Sequence, residues 1–91
     1  MRLGSTNVSN VPRSDQAFGV AVRQLRTDRK LSQEEVAFAG GLSTSTVSRV
    51  ERGLIQPSSS IISRVAKGLG VSLVELAAAT EAAVAKARGA S

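Results

Sequence analysis

The stretch LSQEEVAFAGGLSTSTVSRVERG, residues 31–53, decides the fold. Ser32 is followed three residues on by Glu35, the capping box in which each side chain satisfies the other residue's backbone N–H at a helix start. Gly40-Gly41 closes that helix after about two turns, because glycine enters the left-handed conformation without steric cost. Ser43 caps a further short helix that runs to Glu51 or Arg52, where Gly53 stops it. Val47 and Val50 are its inward residues. Its other face holds Thr44, Ser45, Ser48, Arg49 and Arg52, all hydrogen-bonding and none acidic.

Upstream, a helix is expected from Ser14 or Asp15, either of which suits a cap. Phe18, Val22 and Leu25 recur at helical spacing and face inward, leaving Arg23, Arg29 and Lys30 outside. Gly19 is a poor helix former there and marks a close approach to a neighbouring helix. Downstream, the turn Gly53-Leu54-Ile55-Gln56-Pro57 leads to a helix capped by Ser58, with an apolar stripe of Ile62, Val65, Ala66 and Leu69 and a stop at Gly70. Ser72 caps a last helix that extends through the alanine-rich stretch to Arg88. No alternating strand pattern occurs. The expectation is an all-α chain of five helices: residues 1–14 a flexible arm, 15–79 one folded domain, and 80–91 a helical extension or frayed tail.

Composition narrows the chemistry. Twelve Lys and Arg against seven Asp and Glu give a net charge of +5 over 91 residues, a balance that favours polyanionic partners. Cysteine and histidine are both absent, so neither a disulfide framework nor the commonest metal and general-base side chains are available. No enzyme, metal or other cofactor is implied, and no small-molecule ligand. There is no run of roughly 18 apolar residues for a membrane span and no apolar segment of signal-peptide type, so a cytoplasmic location is expected and no membrane partner.

These segments, LR (25–26), LSQEEVA (31–37), GLSTSTVSRVERG (41–53), PS (57–58) and AKGLGVSLVEL (66–76), resemble the helix-turn-helix of phage repressors and Cro proteins, the XRE family. The resemblance spans residues 17–78. It implies a five-helix, lambda-repressor-like domain that binds double-stranded DNA as a homodimer and regulates transcription, most simply as a repressor. A major groove admits one helix, and arginine meets guanine O6 and N7 with two hydrogen bonds. By the resemblance, Thr44, Ser45 and Arg49 occupy base-reading positions, with Ser48 beside them. Gln33 lies where the family contacts a phosphate or the outer end of the half-site. Ser43, Arg52 and Arg23 are candidates for backbone contacts. Arg26 and Glu51 match a partly buried ion pair between the first and third helices, an architectural role. Structural alternatives stand beside these: Ser43 as a cap alone, Gln33 as an ordinary first-turn residue, Arg49 as a solvated arginine. The arm, with Arg2 and Arg13, either reaches a minor groove or has no role.

Three positions depart from the family pattern, and the last of them bears on assembly. Phe38 and Ala39 stand where polar residues are usual, Ser59 stands where a buried leucine or valine is usual, which suggests a thinner core at the start of the fourth helix, and Leu54 and Ile55 are apolar in a turn that is usually polar. Leu54 and Ile55, with Leu76, Ala83, Val84 and Ala87, are expected to form a dimer patch near a two-fold axis. Residues 80–91 are too few to hold a sensor module, so control would come from concentration, autoregulation or a protein partner. The competing reading is a protein-interaction module of the same fold, such as an antitoxin-like partner binder, in which Phe38, Leu54 and Ile55 make the contacts and DNA is held weakly.

Overall fold

The computed structural model describes residues 14–89, and the N-terminal arm expected from the sequence, with Arg2 and Arg13, lies outside them. Five helices follow one another: α1 (Ser14–Asp28), α2 (Gln33–Gly40), α3 (Thr44–Glu51), α4 (Ser59–Leu69) and α5 (Leu73–Gly89). The all-α fold is the one expected. Local chemistry sets the boundaries. The Oγ atoms of Ser32, Ser43, Ser58 and Ser72 accept the backbone N–H three residues on, at 3.0–3.2 Å, and Glu35 closes the capping box on the Ser32 N–H at 2.8 Å. Each bond satisfies an N–H that the first helical turn leaves without a partner.

Gly41 ends α2 at φ 70°, and its N–H returns to the carbonyls of Ala37 and Phe38. The equivalent position after α1 is taken by Lys30, at φ 56°. A side chain in that left-handed region costs about 1–2 kcal/mol.

The core is built on valine. Val22, Val36, Val47, Val50 and Val65 are fully buried with Leu76, and Phe18, Ala37, Ala66 and Leu69 complete the cluster. α1 packs chiefly along α5 and against α3, while α2 is held between α3 and α4. The α2–α4 contact is close enough to exclude side chains. A Cβ on Gly40 would lie 2.3 Å from the Arg64 carbonyl oxygen, and one on Gly68 would lie 2.3 Å from that of Val36. Gly19 has the close approach expected of it, with the Val50 carbonyl 2.3 Å from where its Cβ would stand.

The structure corrects two expectations. Leu76 is no part of a surface patch: at 1% exposure it belongs to the core. The fifth helix turns this residue toward Phe18 and Ile62, and presents Leu73 and Val74 to solvent instead. Ser59 is exposed at the first position of α4, and Ile61 and Ile62 cover that end of the core. Ile55 is half-buried against the core, whereas Leu54 is exposed. α5 runs past residue 79 without a break, and Ala79, Ala82, Ala83 and Lys86 form a shallow groove with Val20, Gln24 and Leu25 of α1. No single helix among the described residues is long and apolar enough to cross a membrane, and the α4–α5 pair that has the length together is bent by 100°.

Candidate nucleic-acid interface

α3 has two faces because its eight residues carry apolar side chains at only two positions. Val47 and Val50 are buried at 0% and 1% exposure, fixing the helix to the core. Thr44, Ser45, Arg49 and Arg52 are exposed and Ser48 is half-buried, so the polar positions read from the sequence lie on the open side. The helix carries one acid, Glu51, and the fold removes it from that open surface. Glu51 Oε2 accepts from Arg26 Nε at 2.5 Å and Oε1 from Arg26 Nη2 at 3.0 Å, with side-chain exposures of 14% for Arg26 and 4% for Glu51. The hydrogen bond to Glu51 raises the Arg26 pKa above its ordinary value; burial opposes the shift and the carboxylate's charge adds to it. Arg26 Nη1 also donates to the Leu31 carbonyl at 2.9 Å, tying the α1–α2 connection into the same network.

The ends of α2 and α3 therefore meet in one cluster. Gln33, the first residue of α2, donates from Nε2 to Glu51 Oε1 at 3.0 Å, so it is partnered within the protein as well as half-exposed. Eighteen residues separate the two, and no local sequence signal links them. Ser43 is occupied as a cap and shares a 2.8 Å hydrogen bond with the Thr46 hydroxyl. Arg52 bends back so that Nε reaches the Ser48 carbonyl at 3.4 Å, leaving its remaining guanidinium donors outward. Arg23 is exposed on α1. Arg64, which sequence reasoning did not single out, donates to the Gly41 carbonyl at 3.1 Å and fastens the α2–α3 turn to α4.

Chemically, the open face of α3 offers hydroxyls and guanidinium groups, and the one carboxylate of that helix is paired with Arg26 and turned in. Such a surface is matched to the acceptor-rich edge of a duplex and its phosphates. No group of His, Cys, Asp and Glu that could hold a metal is present among the described residues.

Comparison with known proteins agrees with this reading of the fold. The helix-turn-helix family model matches residues 22–76. The HTH-type transcriptional regulator Rv0023 of Mycobacterium tuberculosis is 40% identical over 58 residues, 64% of this chain and 23% of that protein. The cryptic phage CTXphi transcriptional repressor RstR of Vibrio cholerae is 36% identical over 64 residues, 70% of this chain and 58% of the relative. Among solved structures, the restriction-modification controller protein C.AhdI of Aeromonas hydrophila superimposes with a TM-score of 0.65 at 42% identity, covering 68% of this chain and 94% of that one. The chain thus spans about a quarter of the length of the mycobacterial regulator it matches. By name these are regulators of transcription and a restriction-modification controller. With well over half of its residues matched, and with the capped pair of helices at their centre, the chain belongs to the XRE-type helix-turn-helix family.

Proposed function

We propose that this protein is a sequence-specific DNA-binding regulator of transcription, acting as a repressor, that binds an inverted-repeat operator as a homodimer with α3 in the major groove. The observation that carries this reading is the open face of α3: Thr44, Ser45 and Arg49 are exposed while its one acid is withdrawn against Arg26. Thr44, Ser45, Ser48 and Arg49 read bases. Gln33, Ser43, Arg52 and Arg23 meet the backbone, which positions the protein without specifying sequence. The two half-sites then lie about one helical turn, roughly 34 Å, apart. RstR, a repressor by name, supports the direction of control. A cytoplasmic, nucleoid-associated location follows from the same role.

The dimer surface best suited to the structure is apolar. Leu73 and Val74 are 52% and 79% exposed at the start of α5, beside a groove lined by Phe18, Ile62 and Ala77, and Leu54 is exposed in the turn after α3. Val84 is half-buried further along α5.

Selection of bound duplexes from a random library by purified protein, followed by sequencing, tests the reading. Enrichment of an inverted repeat is expected. The competing reading, a protein-interaction module, draws on Phe38, which is 91% exposed on α2. It requires DNA binding that is weak, steeply salt-dependent and indifferent to sequence; a folded protein that enriches no motif at moderate salt would establish it instead.

A further inference from the structure

We propose that Glu51 is a positioning residue for DNA recognition, because it fixes which edge of the Gln33 side-chain amide is offered to the duplex; this rests on the DNA-binding reading above.

The argument is one of donors and acceptors. An ionised carboxylate only accepts hydrogen bonds. Arg26 holds Glu51 ionised with two donors, and the carboxylate is almost wholly withdrawn from water. The Gln33 group that meets Glu51 Oε1 at 3.0 Å is therefore the NH2 end, and the amide orientation follows from chemistry. One N–H of Gln33 is spent on Glu51. Its carbonyl oxygen and second N–H remain, at the first turn of α2 and beside the open face of α3.

Two consequences follow for recognition. A solvent-exposed glutamine loses side-chain entropy when a contact orders it; here the protein holds it beforehand. In addition, a lone carboxylate at this point would repel nearby phosphates. Arg26 cancels that charge while its Nη1 holds Leu31, two residues before Gln33. The ion pair thus sets the shape, the local charge and the hydrogen-bonding polarity of the start of α2. The same pair that joins α1 to α3 also determines what Gln33 presents.

The test is a double-mutant cycle of Glu51→Gln and Gln33→Ala. It measures affinity for the duplex selected by the parent protein, and for duplexes altered at the outer end of each half-site, at a temperature where circular dichroism shows every variant folded. Gln33→Ala is expected to weaken binding about five- to tenfold, the range of a single hydrogen bond. Glu51→Gln is expected to lose most of that factor, and the double variant to bind within about twofold of Gln33→Ala. Losses that multiply in the double variant overturn the proposal. Should Glu51→Gln fail to fold, Glu51→Asp, which retains the charge but shortens the reach, takes its place in the cycle.

A measurement on the unaltered, DNA-free protein separates the two levels of inference. Nuclear magnetic resonance is expected to show one Gln33 side-chain amide proton shifted downfield and slow to exchange. Averaged, fast-exchanging protons in a parent that still selects a motif overturn the positioning role alone. A protected amide in a parent that selects no motif overturns the DNA-binding reading, and the role with it.

Discussion

Arg26 and Glu51, 25 residues apart in sequence, meet where the ends of α1 and α3 and the start of α2 converge, and the two side chains are nearly removed from water. Their worth is asymmetric. A buried pair adds little net stability over a well-packed apolar substitute, but removing one partner strands the other charge. For this part-buried pair, Arg26→Ala or Glu51→Ala should lower the unfolding free energy by about 1.5–3 kcal/mol in urea titrations, the range of hydrogen bonds between charged groups. Arg29→Ala, which breaks the exposed pair to Glu75 at 3.1 Å, should cost no more than about 1 kcal/mol. Equal losses for the two arginines would show that the inner pair is not effectively buried. Arginines on α3 divide by a different physics. Arg49 is exposed with its guanidinium free to reach base edges, so Arg49→Ala should cost about 1–3 kcal/mol at one base position and relax preference there. Arg52, proposed to meet the DNA backbone, turns its Nε to the Ser48 carbonyl. Arg52→Ala should weaken all duplexes alike and reduce the slope of log affinity against log salt by about 1; competition titrations over a salt series read both effects.

At the scale of the helices, signals carried within a few residues were legible and contacts between helices were not. The four serine caps, the Glu35 reach-back and the glycine stops act across three or four residues, so the starts and ends of α2, α3 and α4 follow from the sequence. The polar face of α3 is legible for the same reason: two valines settle which side is buried. Leu76 was misread because α5 begins Leu-Val-Glu-Leu and continues in alanine, a pattern with apolar residues all round and no single stripe to mark the inner face. The Gln33–Glu51 bond and the reciprocal Gly40–Gly68 approach depend on where another helix lies, and no local pattern encodes that. These tertiary features carry their own expectations. Gly40→Ala or Gly68→Ala places a methyl group 2.3 Å from a backbone oxygen that cannot turn aside. Each should destabilise by at least the 1–3 kcal/mol or so of an overpacked core, although alanine is the better helix former. Lys30→Gly should do the opposite. At φ 56° the lysine bears left-handed strain that glycine relieves, less the entropy glycine costs, for a net gain of about 0.5–1 kcal/mol. Thermal unfolding of the three variants checks the signs, and a stabilised Gly68→Ala would mean that α2 and α4 stand further apart than described.

The described residues bury a core of valines and alanines with three larger side chains, Phe18, Leu69 and Leu76. A chain of this size buries about 60–65% of its unfolded surface, so association is a direct way to add apolar burial. The start of α5 has the means: Leu73 and Val74 are exposed within one turn of the buried Leu76, and the groove beside them is apolar apart from Thr80 and Glu81. The same three positions separate assembly from folding. Leu76→Asp buries a charge in the core and should unfold the domain. Val74→Asp, at a site 79% exposed, should leave the helical signal and unfolding temperature of the monomer almost unchanged while shifting the sedimentation coefficient toward the single chain. DNA binding then reports the function of the proposed dimer. A monomer keeps the contacts of one α3, so its affinity for an isolated half-site should be the parent's. On the full inverted repeat it loses the gain from tethering two sites, a factor of about 10²–10⁴. A Val74→Asp protein that stays dimeric would move the two-fold axis away from the start of α5. If it becomes monomeric yet binds the full repeat as tightly as the parent, each α3 acts alone, and recognition by this protein owes nothing to symmetry.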